Sequence, residues 1–233
     1  MIVCVRSRVV EEWTSAQRPG TGPVTSAAVL AGALVAGAWA RRDYRAWRAL
    51  GQGGLPPTPW GWVCVTALRG VALLPAPSRS QEGPPSEEVE NLPRRAAPRP
   101  TVAPHPVPHR VVDQQAPDEL VVGLQRHLED LARRPPLQMA TSRWERHHAA
   151  LWWGSTDEIA HVHPVDGSCH VVLPPADLDT VQERGWGVVH PLAGRGGLPR
   201  SYTLLFPPRD VTEAGHVAAV LRAAAEAFPG PRS

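Results

Sequence analysis

The sequence predicts an α+β protein: an antiparallel sheet of about four or five strands backed by helices, preceded by an N-terminal transmembrane helix and a Pro-rich extended arm. Three observations predict it. Residues 158–173, "EIAHVHPVDGSCHVVL", read as two short strands around Asp166-Gly167, a strong hairpin dipeptide. Segments of helical periodicity lie on both sides of that hairpin. Upstream, residues 75–117 hold 11 of the 27 prolines, and the composition turns to that of a globular domain only after them.

From Pro19 to Ala40 the chain runs 22 residues without a charge. That length suffices to cross a hydrocarbon core of about 30 Å. "RRDYRAWR" follows, with Trp39, Tyr44 and Trp47 placed as interfacial anchors. The Arg-rich flank keeps the C-terminal side cytoplasmic by the positive-inside rule, so a single-pass membrane protein is expected, with its anchor at about 22–40 of an N-terminal segment 1–48. A signal peptide cut near Ala36-Gly37-Ala38 and a core helix are the other readings. Ala33 and Gly37 are small enough to let two such helices approach, so self-association through the anchor is a further expectation.

Residues 49–117 form the next segment. "WGWVCVTALRGVALLP" (60–75) is apolar but interrupted by Arg69, which suits an interfacial helix, or else a helix packed on the soluble domain. The proline-dense stretch after it reads as polyproline-like linker on composition alone. The α+β domain is expected over 118–233. Leu120, Val121, Leu124, Leu128 and Leu131 share one face of a helix over 118–134, with Asp118 as its cap. "SRWERHHAALWW" (142–153) reads as a strand, 174–185 as a short helix closed by Gly185, and 201–206 as another strand. A final helix opens on a capping box, Asp210 and Glu213, and runs to Phe228.

Charge and cysteines exclude several classes. A formal charge of +2, with scattered Arg and no Lys, gives no basic stripe for nucleic acid. Cys4, Cys64 and Cys169 are isolated, forming neither a disulfide framework nor a zinc pattern, and Cys169 reads as a small core residue.

The histidines carry the chemistry. Side chains alternate along a strand, so His161 and His163 share a face. With a two-residue turn His163 pairs with His170; with a four-residue loop His161 does; both registers put all three imidazoles on one face. Glu145 and His147, two apart in the preceding strand, are expected to join them, with His190 on a Gly-rich loop folding over. Imidazoles with a carboxylate suit acid/base catalysis. They also suit a divalent metal, with His161, His163 and His170 as ligands in that alternative. A merely solvated polar face is the remaining reading. His105, His109, His127, His148 and His216 are expected to be structural.

"IAHVHPVDGSCHVVL", "GWGVVHPLAG", "YTLLFPPRD" and the terminal helix together resemble the fungal luciferase family. The likeness extends upstream through "TSRWERH", Leu92-Pro93, Arg95, Arg99-Pro100 and His105, and covers about 25–228. Over the proline region it implies an extended arm packed on the domain. It also implies an O2-dependent oxidation of 3-hydroxyhispidin through a cyclic peroxide that loses carbon dioxide and leaves an excited product. No organic cofactor is expected, O2 being the co-substrate, and neither a GxGxxG after a strand nor a P-loop occurs. On residue chemistry, His161 or His163 is the expected base, and His170 and His190 stabilise the oxyanion. Arg209, Trp186 and Tyr202 are expected to contact the small-molecule substrate.

The chain is more compact than the fungal type between "SRWERHHAALWW" and "EIAHVH". A related hydroxypyrone, phenol or polyketide therefore stands beside 3-hydroxyhispidin as the expected substrate. The competing functions are a membrane-tethered module that binds a metal or ligand on its histidine face, and a scaffold that recruits a partner through its proline arm.

Overall fold

A computed structural model of the chain describes residues 23–75, 77 and 83–228. The chain separates into two units, residues 1–43 and 44–233. The described part of the first is helical and belongs to α1 (Pro23–Ala49). Cys4 and the start of the uncharged run lie outside the described residues.

The expected membrane anchor is not supported. Among the described residues no helix is long and apolar enough to cross a membrane. At 27 residues α1 has the length. Its second half, however, carries Arg41, Arg42, Asp43, Arg45 and Arg48, so the apolar stretch ends too soon.

In the second unit, Trp47 at the end of α1 is buried and donates its indole N–H to the Val107 carbonyl at 2.8 Å. Helix α2 (Pro59–Ala72) starts with proline at its first turn, capped by Thr58, which accepts from Gly61 N at 3.2 Å. A single turn, α3 (Glu87–Glu90), precedes the arm. The arm is packed along the domain: Arg95 N donates to the Arg184 carbonyl at 2.8 Å and the Trp186 indole to the Pro93 carbonyl at 2.6 Å. Further on, Val102 and Val111 bridge, and Ala116 N donates to the Asp166 carbonyl at 2.9 Å.

The sheet has six strands, all pairs antiparallel, in the order β1-β2-β3-β4-β6-β5: β1 (Leu137–Thr141), β2 (Ala149–Trp153), β3 (Asp157–Val162), β4 (Cys169–Val172), β5 (Gly187–Val189) and β6 (Tyr202–Leu205). The two strands beyond expectation are the edges, β1 and β5. Both are short, and β5 is a Gly-Val-Val triplet with no alternation to read. The expected strand over 142–153 begins only at Ala149; residues 142–148 form a loop.

Helices α4 (Asp118–Leu131) and α6 (Val211–Glu226) cover one face of the sheet, and α5 (Pro175–Glu183) packs beside β5. Pro117 occupies the N-cap position of α4 with no side-chain capping bond, and Asp118, expected there, is instead the helix's first residue. The Asp210 carboxylate caps α6 by accepting from Glu213 N at 2.8 Å, as the capping-box pattern expects. The main core lies under these helices, with Leu124, Leu128, Leu151, Ile159, Val171 and Leu221 fully buried. On the other face a smaller cluster joins Val111 of the arm to Leu204 and Phe206.

Candidate active site

That second face holds the histidines. His161 pairs with His170 across β3 and β4, and His163 N donates to the Ser168 carbonyl at 2.8 Å, which is the four-residue-loop register. Asp166 closes the loop by accepting from Ser168 N at 3.0 Å and from the Ser168 hydroxyl at 2.7 Å. Gly167 adopts a φ of 75° there, with its Cα against Ala116 of the arm.

Alternation alone would put Glu158 on the helix side, three residues from His161. A bulge changes this. Ala160 pairs with Leu151 but Glu158 with Trp152, so Ile159 is the extra residue of β3. Ile159 and Ala160 both enter the main core, and Glu158 turns to the histidine side. Its Oε1 accepts from His161 Nδ1–H at 2.8 Å and from the Ser142 hydroxyl at 2.8 Å, while Oε2 accepts from Arg143 N at 2.6 Å.

The same logic orients His163. Because the Ser168 hydroxyl donates to Asp166, its oxygen accepts from His163 Nδ1–H at 2.7 Å. Both rings therefore turn Nε2 inward. His163 Nε2 lies 3.2 Å from His170 Nδ1, and His161 Nε2 lies 3.4 Å from the same atom. On its outer side, His170 Nε2 is 3.3 Å from His109 Nδ1.

Two irregular segments complete the cluster. The 142–148 loop carries Glu145, whose Oε1 stands 3.5 Å from His163 Nε2 and 4.0 Å from His170 Nδ1. Its Oε2 accepts from Arg110 at 2.6 Å and pairs with His148 Nε2 at 3.1 Å. The arm supplies His109 and Arg110, and its Val111 N donates to Asp166 Oδ2 at 3.1 Å. His190, just beyond β5, sets its ring 4.6 Å from that of His109 and 5.5 Å from that of His170. Tyr202 stacks on His170 with centroids 4.6 Å apart.

Burial sets the electrostatics. His161 and His163 are 0% exposed. Desolvation holds His109 and His170 well below the ordinary imidazole value, with the neighbouring His190 and His163, respectively, pushing the same way. His161 is lowered by burial against the opposing hydrogen bond of Glu158, and burial brings His190 down to about 4. For Glu145 burial pushes upward, but His163, the His148 hydrogen bond and Arg110 outweigh it and hold the carboxyl well below its usual range. The group thus gathers imidazole ring nitrogens around a buried carboxylate, an arrangement suited to take up a proton or to ligate a cation.

A luciferase domain model matches residues 156–224. The chain is 29% identical to the luciferase of Armillaria mellea, an alignment covering 86% of this chain and 85% of that one. It is 28% identical to the luciferase of Neonothopanus nambi, over 85% and 86% of the two chains, and 28% identical to that of Armillaria ostoyae, over 84% of each. The chain resembles the fungal luciferases. No solved structure matches it. The luciferase-domain match takes in Glu158, His161, His163, His170, His190 and Tyr202, and leaves Glu145, His109 and Arg110 outside.

Of the residues the sequence singles out in this luciferase-like chain, His161, His163, His170, His190, Glu145 and Tyr202 come together. His147 does not. It is exposed on the loop, and its neighbour His148 reaches Glu145 instead, because 142–148 is not a strand and Glu145 meets the residue three positions on. Trp186 and Arg209 fasten the arm. The Trp186 ring lies under Arg95 and its indole N–H is on the Pro93 carbonyl. Arg209 pairs with Glu213 and donates to the Ala96 carbonyl at 3.1 Å. Cys169 faces the main core, fully buried, where desolvation raises its thiol pKa.

Sequence reasoning missed Glu158, His109, Arg110, Asp166 and Ser168, and took His109 and His148 as structural. The imidazole–Arg pair 109–110 inside a proline run was the available signal. For Glu158 there was none, since its place depends on the bulge.

Proposed function

We propose that this protein is an oxygen-dependent oxidoreductase of the luciferase type. Its substrate is a 3-hydroxyhispidin-like hydroxypyrone or a related phenolic or polyketide, and O2 is the co-substrate, with no organic cofactor. The observation that carries the reading is the convergence of His161, His163, His170, His109, His190 and Glu145 in a buried group on one sheet face. Similarity to the fungal luciferases supports the same reading.

An electron-rich hydroxypyrone supplies the electrons itself once its hydroxyl is deprotonated. The chain must then accept that proton, hold the enolate and peroxide anions, and exclude water from the product. An inward ring nitrogen of the cluster accepts the proton, and the Glu145 carboxylate, 3.5 Å from His163, stabilises the imidazolium so formed. The Tyr202 hydroxyl is buried with no hydrogen-bond partner among the described residues and stands ready to donate to a substrate oxygen. Approach is from the 142–148 loop, where a concavity of about 420 Å³ is lined by residues including Met139, Arg146 and His148, and His148 links it to Glu145.

The test is an assay of the full-length chain with 3-hydroxyhispidin in air, recording photons and oxygen uptake together. Wild type is expected to consume oxygen and His163→Ala to lose at least tenfold in rate, within the contribution of general acid–base groups of about 10²–10⁴. Silence of folded wild type in both channels, across hydroxypyrones and catechols, overturns the reading.

A further inference from the structure

We propose that Nε2 of His161, Nε2 of His163, Nδ1 of His170 and Oε1 of Glu145 bind one divalent first-row transition-metal ion. The four atoms lie within 4.8 Å of one another. The separations of 3.2, 3.4, 3.5 and 4.0 Å bracket the spacing of ligands about 2.1 Å from a shared tetrahedral ion, which is about 3.4 Å.

Every ligand is held from behind by a separate partner. His161 Nδ1–H is on Glu158, His163 Nδ1–H on Ser168, and through it Asp166. His170 Nε2 faces His109, and Glu145 Oε2 is on Arg110 and His148. Such outer contacts fix the ring orientation and the tautomer that presents a lone pair inward, the usual support of metal-binding imidazoles. None of the four inward atoms carries an obligatory proton, so the centre is rich in lone pairs and poor in donors.

Charge points the same way. Among the described residues, the buried carboxylates touching the cluster are Glu145, Glu158 and Asp166, against one buried guanidinium, Arg110. The carboxylates exceed the guanidinium by two charges, which a divalent ion balances. Three nitrogens and one oxygen favour the imidazole-binding transition metals over Mg²⁺ and Ca²⁺, which take oxygen ligands. The neighbouring trio of His109, His170 and His190 is not the site, because His190 Nδ1 already accepts from Leu192 N at 3.0 Å and the ring's N–H is on the Pro106 carbonyl. His109 and Tyr202 stay outside the ligand set and remain available to the substrate.

The inference occupies the site of the proposed reaction but does not rest on it, because binding is measured without substrate. Full-length protein is stripped with chelator and titrated with Co²⁺, following visible d–d absorption and Tm, and metal in untreated protein is measured by elemental analysis. Wild type is expected to bind Co²⁺ one-to-one with intense tetrahedral-type bands and a rise in Tm. Glu158→Gln, which keeps the side-chain shape, is expected to weaken binding by about 10–100-fold, and His161→Ala more. His147→Ala, on the exposed loop, should bind as wild type. If folded wild type shows no saturable band, or if Glu158→Gln and His161→Ala both bind as wild type does, the proposal is overturned. Should His161→Ala fail to fold, wild-type stoichiometry and Glu158→Gln still decide.

Discussion

Glu158 reaches His161, Oε1 to Nδ1 at 2.8 Å, because β3 carries one residue more than the strand beside it. The same carboxylate also ties down Ser142 and Arg143 at the start of the loop that carries Glu145. One side chain therefore sets both a ring on the sheet and the loop above it. Replacing it by Gln removes the charge from three hydrogen bonds, and a loss of about 1.5–3 kcal/mol is expected. Urea denaturation of Glu158→Gln against wild type measures it. Unchanged stability would mean that the bulge does not hold the carboxylate as described.

His147 and His148 are adjacent, but only His148 touches Glu145. His148→Ala is expected to lower turnover of the hydroxypyrone substrate about tenfold or more, in the range of a lost acid/base or positioning contact. His147→Ala should leave it within about twofold, as for an exposed loop residue. Parallel steady-state oxygen-uptake rates separate the two. The reverse ranking would restore the strand reading of this segment.

Gly167 sits at a φ of 75°, and a Cβ there would stand 2.6 Å from the Ala116 Cβ and 3.0 Å from Val121. Gly167→Ala therefore combines backbone strain with a clash against the arm, and about 2–3 kcal/mol of destabilisation is expected. Since the turn joins His163 to His170, activity should fall with it. Thermal unfolding followed by circular dichroism gives the stability change, and a neutral substitution would refute the close approach of the arm.

Arg95 of the arm and Arg209 both pair with Glu213 at the start of α6. Burial pushes the Glu213 carboxyl up, but the hydrogen bonds from Arg209 and Arg95 prevail and bring it from 4.5 down to about 2. With the folded value below the unfolded one, the clamp stabilises fully above about pH 4.5 and is lost as pH falls toward about 2. The Tm of wild type should thus drop more steeply across that window than that of Glu213→Gln. Parallel acid limbs would show that the clamp contributes nothing.

Periodicity alone placed the hairpin, the helices at 118–134, 174–185 and 210–228, and the shared face of His161, His163 and His170. Each of these rests on a repeat of two or 3.6 residues or on a turn dipeptide, which neighbouring residues determine. The edge strands β1 and β5 escaped because each takes its shape from its partner's hydrogen bonds. Near the N-terminus, no helix among the described residues is long and apolar enough for a membrane span, and the charges from Arg41 onward cut the apolar run short.

By itself the sequence determined which imidazoles share a strand face, because alternation is a local property of the extended chain. Only the tertiary structure decided what surrounds them. An extra residue in β3 turned Glu158 inward, a loop replaced His147 by His148, and a packed proline arm delivered His109 to His170 across 61 residues and Arg110 to Glu145 across 35. Those contacts join segments distant in sequence, and their positions follow from pairing and burial across the whole domain, which no local pattern encodes.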